Sequence, residues 1–108
     1  MKIKQNFVSE VFWPDKQPIR QKSITVTFDE PFKERPFVIL SLESLDEGQF
    51  IERSRFEDNG QRLLHTVHRI KMTASNVSTT GFVLELSTWN NNMIYSYRIS
   101  WTAISDED

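Results

Sequence analysis

The sequence predicts an all-β protein, a six-stranded antiparallel β-sandwich built as one domain over residues 1–108. Three observations predict it. Period-two alternation recurs in several short stretches, as in Ser23 to Phe28, where Ile24, Val26 and Phe28 share one face and Ser23, Thr25 and Thr27 the other. Segments rich in proline, asparagine or glycine separate those stretches, and none of the stretches spaces its apolar residues as a helix would. A chain of 108 residues also has room for one core and not for two.

Composition narrows the function classes. Charged residues at 26% and aromatic residues at 12% describe a folded soluble domain and not a disordered chain. A net charge of −2 gives no average attraction for phosphate backbones, so nucleic acid is not an expected partner. Zero cysteines exclude disulfides, thiolate metal sites and a cysteine nucleophile. After Met-Lys-Ile-Lys-Gln-Asn comes no apolar run of signal-peptide length, and no stretch reaches membrane-spanning length. The expectation is a soluble chain with no membrane insertion, either cytoplasmic or exported by a non-classical route, or else a mature or viral product. Without a secretion signal, the Asn76-Val77-Ser78 sequon is read as coincidence.

Taken in order, Asn6 to Trp13 reads as a strand, stopped by Pro14, which cannot continue a central ladder. Residues 1–21 thus form an N-terminal strand and loop. After the strand at Ser23 to Phe28, Asp29 to Pro36 carries two prolines and is a connection that packs Phe32 back as a plug. Phe37 to Leu45 is the most apolar run and is expected as a central strand buried on much of both sides. Residues 46–62 have no sustained period and end near an Asn59-Gly60 turn signal, so they read as a long loop insertion. Its carboxylates Asp46, Glu47, Glu52, Glu57 and Asp58 read as a solvated run, while Phe50, Ile51 and Phe56 need burial. Leu63 to Ala74 resumes alternation, with Ile70, Met72 and Ala74 inward and Arg69 outward.

Gly81 to Trp101 reads as a hairpin turned at Asn90-Asn91-Asn92. Its first arm puts Phe82, Leu84, Leu86 and Thr88 on the core face and Val83, Glu85, Ser87 and Trp89 on the other. Its second arm groups Tyr95, Tyr97, Ile99, Trp101 and Ala103 inward. The tail Ser105 to Asp108 is expected to fray.

With the strands laid out, residues Ile24 to Ala103 resemble the H-type lectin domain of snail agglutinins and discoidins. The matching pieces are Val26 to Phe32 with Arg35 to Leu42, Val67 to Met72, Ser75 to Phe82, Ser87 to Asn90, and Ile94 to Trp101. The resemblance implies a six-stranded sandwich that assembles as a homotrimer, sometimes doubled to a hexamer. It also implies that the domain binds glycans bearing galactose or N-acetylgalactosamine near subunit boundaries and takes part in cell adhesion. Carried over residue by residue, the pocket arginine falls on Arg69 and its tryptophan on Trp89. The following position, often histidine in the family, is Asn90, and Asp15 is the best placed carboxylate. No cofactor and no metal are implied.

Those residue types suit a sugar. Trp89 offers a ring for the C–H face, and the Arg69 guanidinium fork donates to two ring substituents. Asp15 accepts from two hydroxyls and Asn90 both donates and accepts. Plainer readings stand beside these: Trp89 as packing under the long loop, Arg69 as a cross-strand partner of Glu85, and Asp15 as a turn former. His65 and His68, three apart in a strand, face opposite sides and make a poor metal pair. No pair of carboxylates is singled out as a glycosidase would need, and a hydrolase ranks low. The sequence therefore points to a non-enzymatic lectin. The alternative is an oligomeric attachment module of a viral or secreted assembly whose sugar site has drifted.

Overall fold

The structure is a computed structural model and describes residues 1–49 and 69–108. Six strands follow one another as β1 (Lys2–Val11), β2 (Gln21–Thr27), β3 (Phe37–Gln49), β4 (Lys71–Ser75), β5 (Gly81–Ser87) and β6 (Asn92–Ser105). Two three-stranded sheets, ordered β1-β6-β3 and β2-β5-β4, pair antiparallel throughout. The expected sandwich is present. β3 runs on through Gln49, so residues 46–49 of the stretch assigned to the long loop 46–62 are strand, and the rest of that stretch lies outside the described residues. Phe50, Ile51, Phe56, Asn59-Gly60, His65 and His68 lie outside the described residues.

The core forms where the inner faces meet. Val26 of β2 and Phe82, Leu84 and Leu86 of β5 pack against Tyr97, Ile99, Trp101 and Ala103 of β6. Aromatic rings join the two layers, with Phe82 edge-on to Trp101 at 5.5 Å and Phe28 at 5.6 Å from the same indole. Phe32 seats edge-on against Phe28 at 5.1 Å, which is the plug expected of the connection. Each fully buried Leu or Ile here contributes about 1.5–3 kcal/mol relative to an exposed one, enough to hold the layers without disulfides.

Four expectations change. Gly81 to Trp101 is not a hairpin, because β5 and β6 belong to different sheets and the chain crosses between layers at residues 88–91. Alternation fixes which face of each arm is apolar but not its neighbour. Opposing the two apolar faces across the core buries both, while leaving each arm two partners of its own. The central strand of the first sheet is β6, and β3 is an edge whose Phe37 is 69% exposed. β1 spans Lys2–Val11, leaving Phe12 buried after it and Trp13 exposed in the following turn.

The fourth concerns β6. Asp46 pairs with Ser96 and Glu47 with Ile94, so Tyr95 is an extra residue with no partner on β3. That bulge reverses the alternation. Ile94 and Asn92 become fully buried while Tyr95 is only partly covered, in place of the unbroken odd-numbered face expected from Tyr95 onward.

The tail does not fray. Ser105 and Glu107 are buried, and the Glu107 carboxylate accepts from the backbone N–H groups of Lys33 (2.9 and 3.0 Å) and Glu34 (3.1 Å) and from the Ser105 hydroxyl (2.8 Å). Burial pushes this carboxyl up, but the Lys33 and Glu34 amides, the Ser105 hydroxyl and the Lys2 ammonium outweigh it and hold it below its ordinary value. A carboxyl depressed in the folded state contributes stability above its unfolded pKa and loses it as pH falls through the lowered value. Glu107→Gln is therefore expected to lower the melting temperature at pH 7 and to flatten its fall under acid. Melting curves from pH 7 to 3 check this.

The outer faces of the two sheets differ. On the first, Ile3, Phe7, Phe37 and Ile39 stand exposed, and the register sets Ile3, Ile104 and Phe37 in one row. The Arg98 guanidinium lies 3.7 Å over the Phe7 ring and its Nε reaches Glu43 at 2.5 Å. On the second sheet the outward rows are mostly polar, with Gln21, Ser87 and Lys71 in one and Ser23, Glu85 and Thr73 in the next.

Candidate functional site

One pole of the sandwich collects the loop after β1, the end of β3, the approach to β4 and the β5–β6 crossing. Backbone bonds gather them. The Phe12 N–H donates to Tyr95 O (2.8 Å), Ile19 exchanges bonds with Ile94 (3.0 and 2.7 Å), and the Thr88 N–H donates to Arg20 O (2.8 Å). Gln49 pairs with Asn92. Asp15, Arg69, Trp89 and Asn90 all fall at this pole.

The crossing turn closes where the Asn92 N–H donates to Trp89 O at 3.3 Å. Asn90 takes φ 60°, the left-handed region that asparagine tolerates better than most side chains. This is a backbone reason for Asn90 independent of any ligand. The turn leaves Trp89 48% exposed, and the long loop of the plainer reading lies outside the described residues. A large aromatic held at a turn beside polar neighbours offers a flat apolar surface to a ligand.

Arg69 sits two residues before β4 and is half-buried, not turned away from the body as alternation implied. The Thr88 hydroxyl donates to its backbone carbonyl, and its own N–H donates to Glu47 Oε2 at 3.3 Å. Its Nη1 is buried and has no hydrogen-bond partner among the described residues, and its guanidinium makes no ion pair with one of them. The cross-strand pairing with Glu85 is absent: Glu85 lies opposite Thr73, whose hydroxyl donates to it at 3.4 Å. Arg69 is thus tied to the residue preceding Trp89 through its backbone, with its side chain left for other work.

Asp15 stands apart. It is exposed in the turn after Trp13-Pro14, a cis peptide bond, and no hydrogen bond or ion pair joins it to Arg69, Trp89 or Asn90 among the described residues. The carboxylate that does reach the pole's interior is Glu47. It lies opposite the buried Ile94 and accepts from the Asn92 amide Nδ2 at 3.0 Å as well as from Arg69 N–H. The solvated-run reading is wrong for Glu47. The overlooked signal was period two continuing as Leu45-x-Glu47 past the last obvious apolar residue. An aromatic pair was missed as well, in which Trp13 meets Tyr95 edge-on at 6.3 Å beside Asp15.

The six-stranded antiparallel sandwich thus brings an exposed indole and a guanidinium to one pole. The H-type lectin domain family matches residues 23–104, and the chain belongs to that family of carbohydrate-binding lectins. Among solved structures it is similar to the recombinant discoidin II of Dictyostelium discoideum, with TM-score 0.71, 19% identity, and coverage of 99% of this chain and 38% of that one. The wild-type discoidin II from the same organism gives TM-score 0.69 and 20% identity over 96% of this chain and 36% of the other. The chain spans little more than a third of discoidin II, and at these identities the likeness is one of fold. No sequence among curated proteins matches it.

Proposed function

We propose that this domain is a non-enzymatic lectin for terminal galactose or N-acetylgalactosamine, with Trp89 as the stacking platform and Arg69, Asn90 and Asp15 as polar contacts. The observation that carries it is the exposed Trp89 ring joined through Thr88 to Arg69, whose guanidinium makes no ion pair with a described residue. A sugar supplies what that arrangement lacks, with hydroxyls for the donors and a C–H face for the ring. Asn90 carries no titratable group, so it adds no pH step near neutrality of the kind a histidine there would add.

Single sugar contacts are weak, and a homotrimer or hexamer raises the effective affinity for a glycan-covered surface, which makes cell adhesion or agglutination the expected outcome. The exposed apolar row on the first sheet's outer face supports assembly between copies. The same row favours a second reading, a trimeric attachment module without sugar binding.

The test is a glycan array run on the purified chain, beside Trp89→Ala and with free N-acetylgalactosamine as competitor, together with the mass in solution. The expected result is binding to galactose- or N-acetylgalactosamine-terminated glycans by three or six copies of a 12.8 kDa chain. Loss of the ring should weaken binding by about 10- to 100-fold, the equivalent of roughly 1–3 kcal/mol. A folded trimer that binds no glycan moves the conclusion to the attachment module.

A further inference from the structure

The sugar-contacting residues proposed above are exposed or half-buried and lie on different elements, so something must fix their separation. The hydrogen bonds at the pole close into a ring. Glu47 Oε2 accepts from the Arg69 N–H (3.3 Å), and the Arg69 carbonyl accepts from the Thr88 hydroxyl. Thr88 is bonded through the chain to Trp89, whose carbonyl accepts from the Asn92 N–H (3.3 Å), and the Asn92 amide returns to Glu47 Oε2 (3.0 Å). The ring ties β3 and β6 of the first sheet to the approach to β4 of the second. The Arg69 and Trp89 side chains both project from it without being members.

We infer that Glu47 is the positioning residue of the site. Its single carboxylate oxygen sets the distance between the Arg69 guanidinium and the Trp89 ring by holding the backbone of one and the turn of the other. It touches no ligand. The bulge that gives β6 the extra residue Tyr95 is what brings Glu47 opposite Ile94, on the inward face, where it meets Asn92. A directional contact to sugar hydroxyls tolerates little misplacement, so releasing this tether weakens binding even where both contacting side chains are intact.

This inference rests on the sugar-binding reading for its functional consequence but not for its geometry, and the experiment separates the two. Free N-acetylgalactosamine is titrated calorimetrically into the wild type, Glu47→Ala, Glu47→Gln and Glu107→Gln, and backbone amide exchange is followed at Arg69 and Asn92. Both ring bonds end on one oxygen, which the glutamine carbonyl can replace. Glu47→Ala is therefore expected to weaken binding by about 10-fold, and Glu47→Gln to restore most of it. Glu107→Gln, at the other pole, should lower the melting temperature with affinity unchanged, which removes general destabilisation as the cause. Exchange at Arg69 should accelerate in Glu47→Ala alone. A Glu47→Ala protein with wild-type affinity overturns the inference, as does unchanged Arg69 exchange. If the wild type itself binds no sugar, the lectin reading falls, while the exchange result still decides whether Glu47 holds the ring.

Discussion

Gly81→Ala is expected to leave the chain largely unfolded at room temperature, or folded with a melting temperature far below that of the wild type. Gly81 opens β5 opposite Thr27, and it is buried. A Cβ at this position would lie 2.1 Å from the Val26 carbonyl oxygen and 3.1 Å from its carbon. Both are backbone atoms, so no rotamer change relieves the overlap. Relief requires β2 and β5 to separate at the point where Phe28 donates its N–H to Thr80 O and Phe82 enters the core. Gly81 has no positive φ, so alanine's smaller unfolded-chain entropy offsets about 0.4–1 kcal/mol of this, well short of what the overlap costs. Separation of this kind costs several kcal/mol, set against roughly 5–15 kcal/mol for a whole domain. Chemical denaturation of the variant beside Val83→Ala, a half-buried neighbour with no such approach, checks the prediction. A Gly81→Ala midpoint close to that of Val83→Ala would contradict it.

The contrast between Gly81 and Glu47 shows what could be read in advance. The Thr-Gly-Phe string and clean alternation of Phe82, Leu84 and Leu86 were legible because each strand carries its own record of which side is buried. Pairing is not recorded that way. Nothing local in β5 or β6 states that their apolar faces oppose each other across the core instead of lying side by side, and the Asn-rich turn suits either course. Phe37 and Ile39 misled for a related reason: apolar residues on both faces of β3 were taken as two-sided burial, yet an edge strand facing another copy of the chain would read the same. At the site, Trp89 and Arg69 stood out by residue type and by resemblance. Glu47 did not, since its role depends on a bulge at Tyr95 that a single strand's pattern does not reveal.

Trp101→Ala is expected to cost about 3–5 kcal/mol and to loosen the sandwich at the pole opposite the candidate site. The indole of Trp101 is the place where the two layers share aromatic contacts, with Phe82 of β5 at 5.5 Å and Phe28, just after β2, at 5.6 Å. Phe28 in turn holds Phe32, so the plug over this end depends on the same ring. Truncation removes the largest side chain of the cluster, and the rigid strands on either side cannot close the gap, so a cavity term adds to the lost transfer energy. A Trp101→Phe variant keeps the edge contact in smaller volume and is expected to lose less than half as much. The position also separates stability from recognition. Trp89 lies exposed in the crossing turn, whereas Trp101 is buried well along β6. Under conditions where both variants are folded, Trp101→Ala should retain glycan binding with a lowered melting temperature, and Trp89→Ala should show the reverse. Equal loss of both properties in both variants would mean that the pole and the core are one cooperative unit, and that the exposed indole has no separate role.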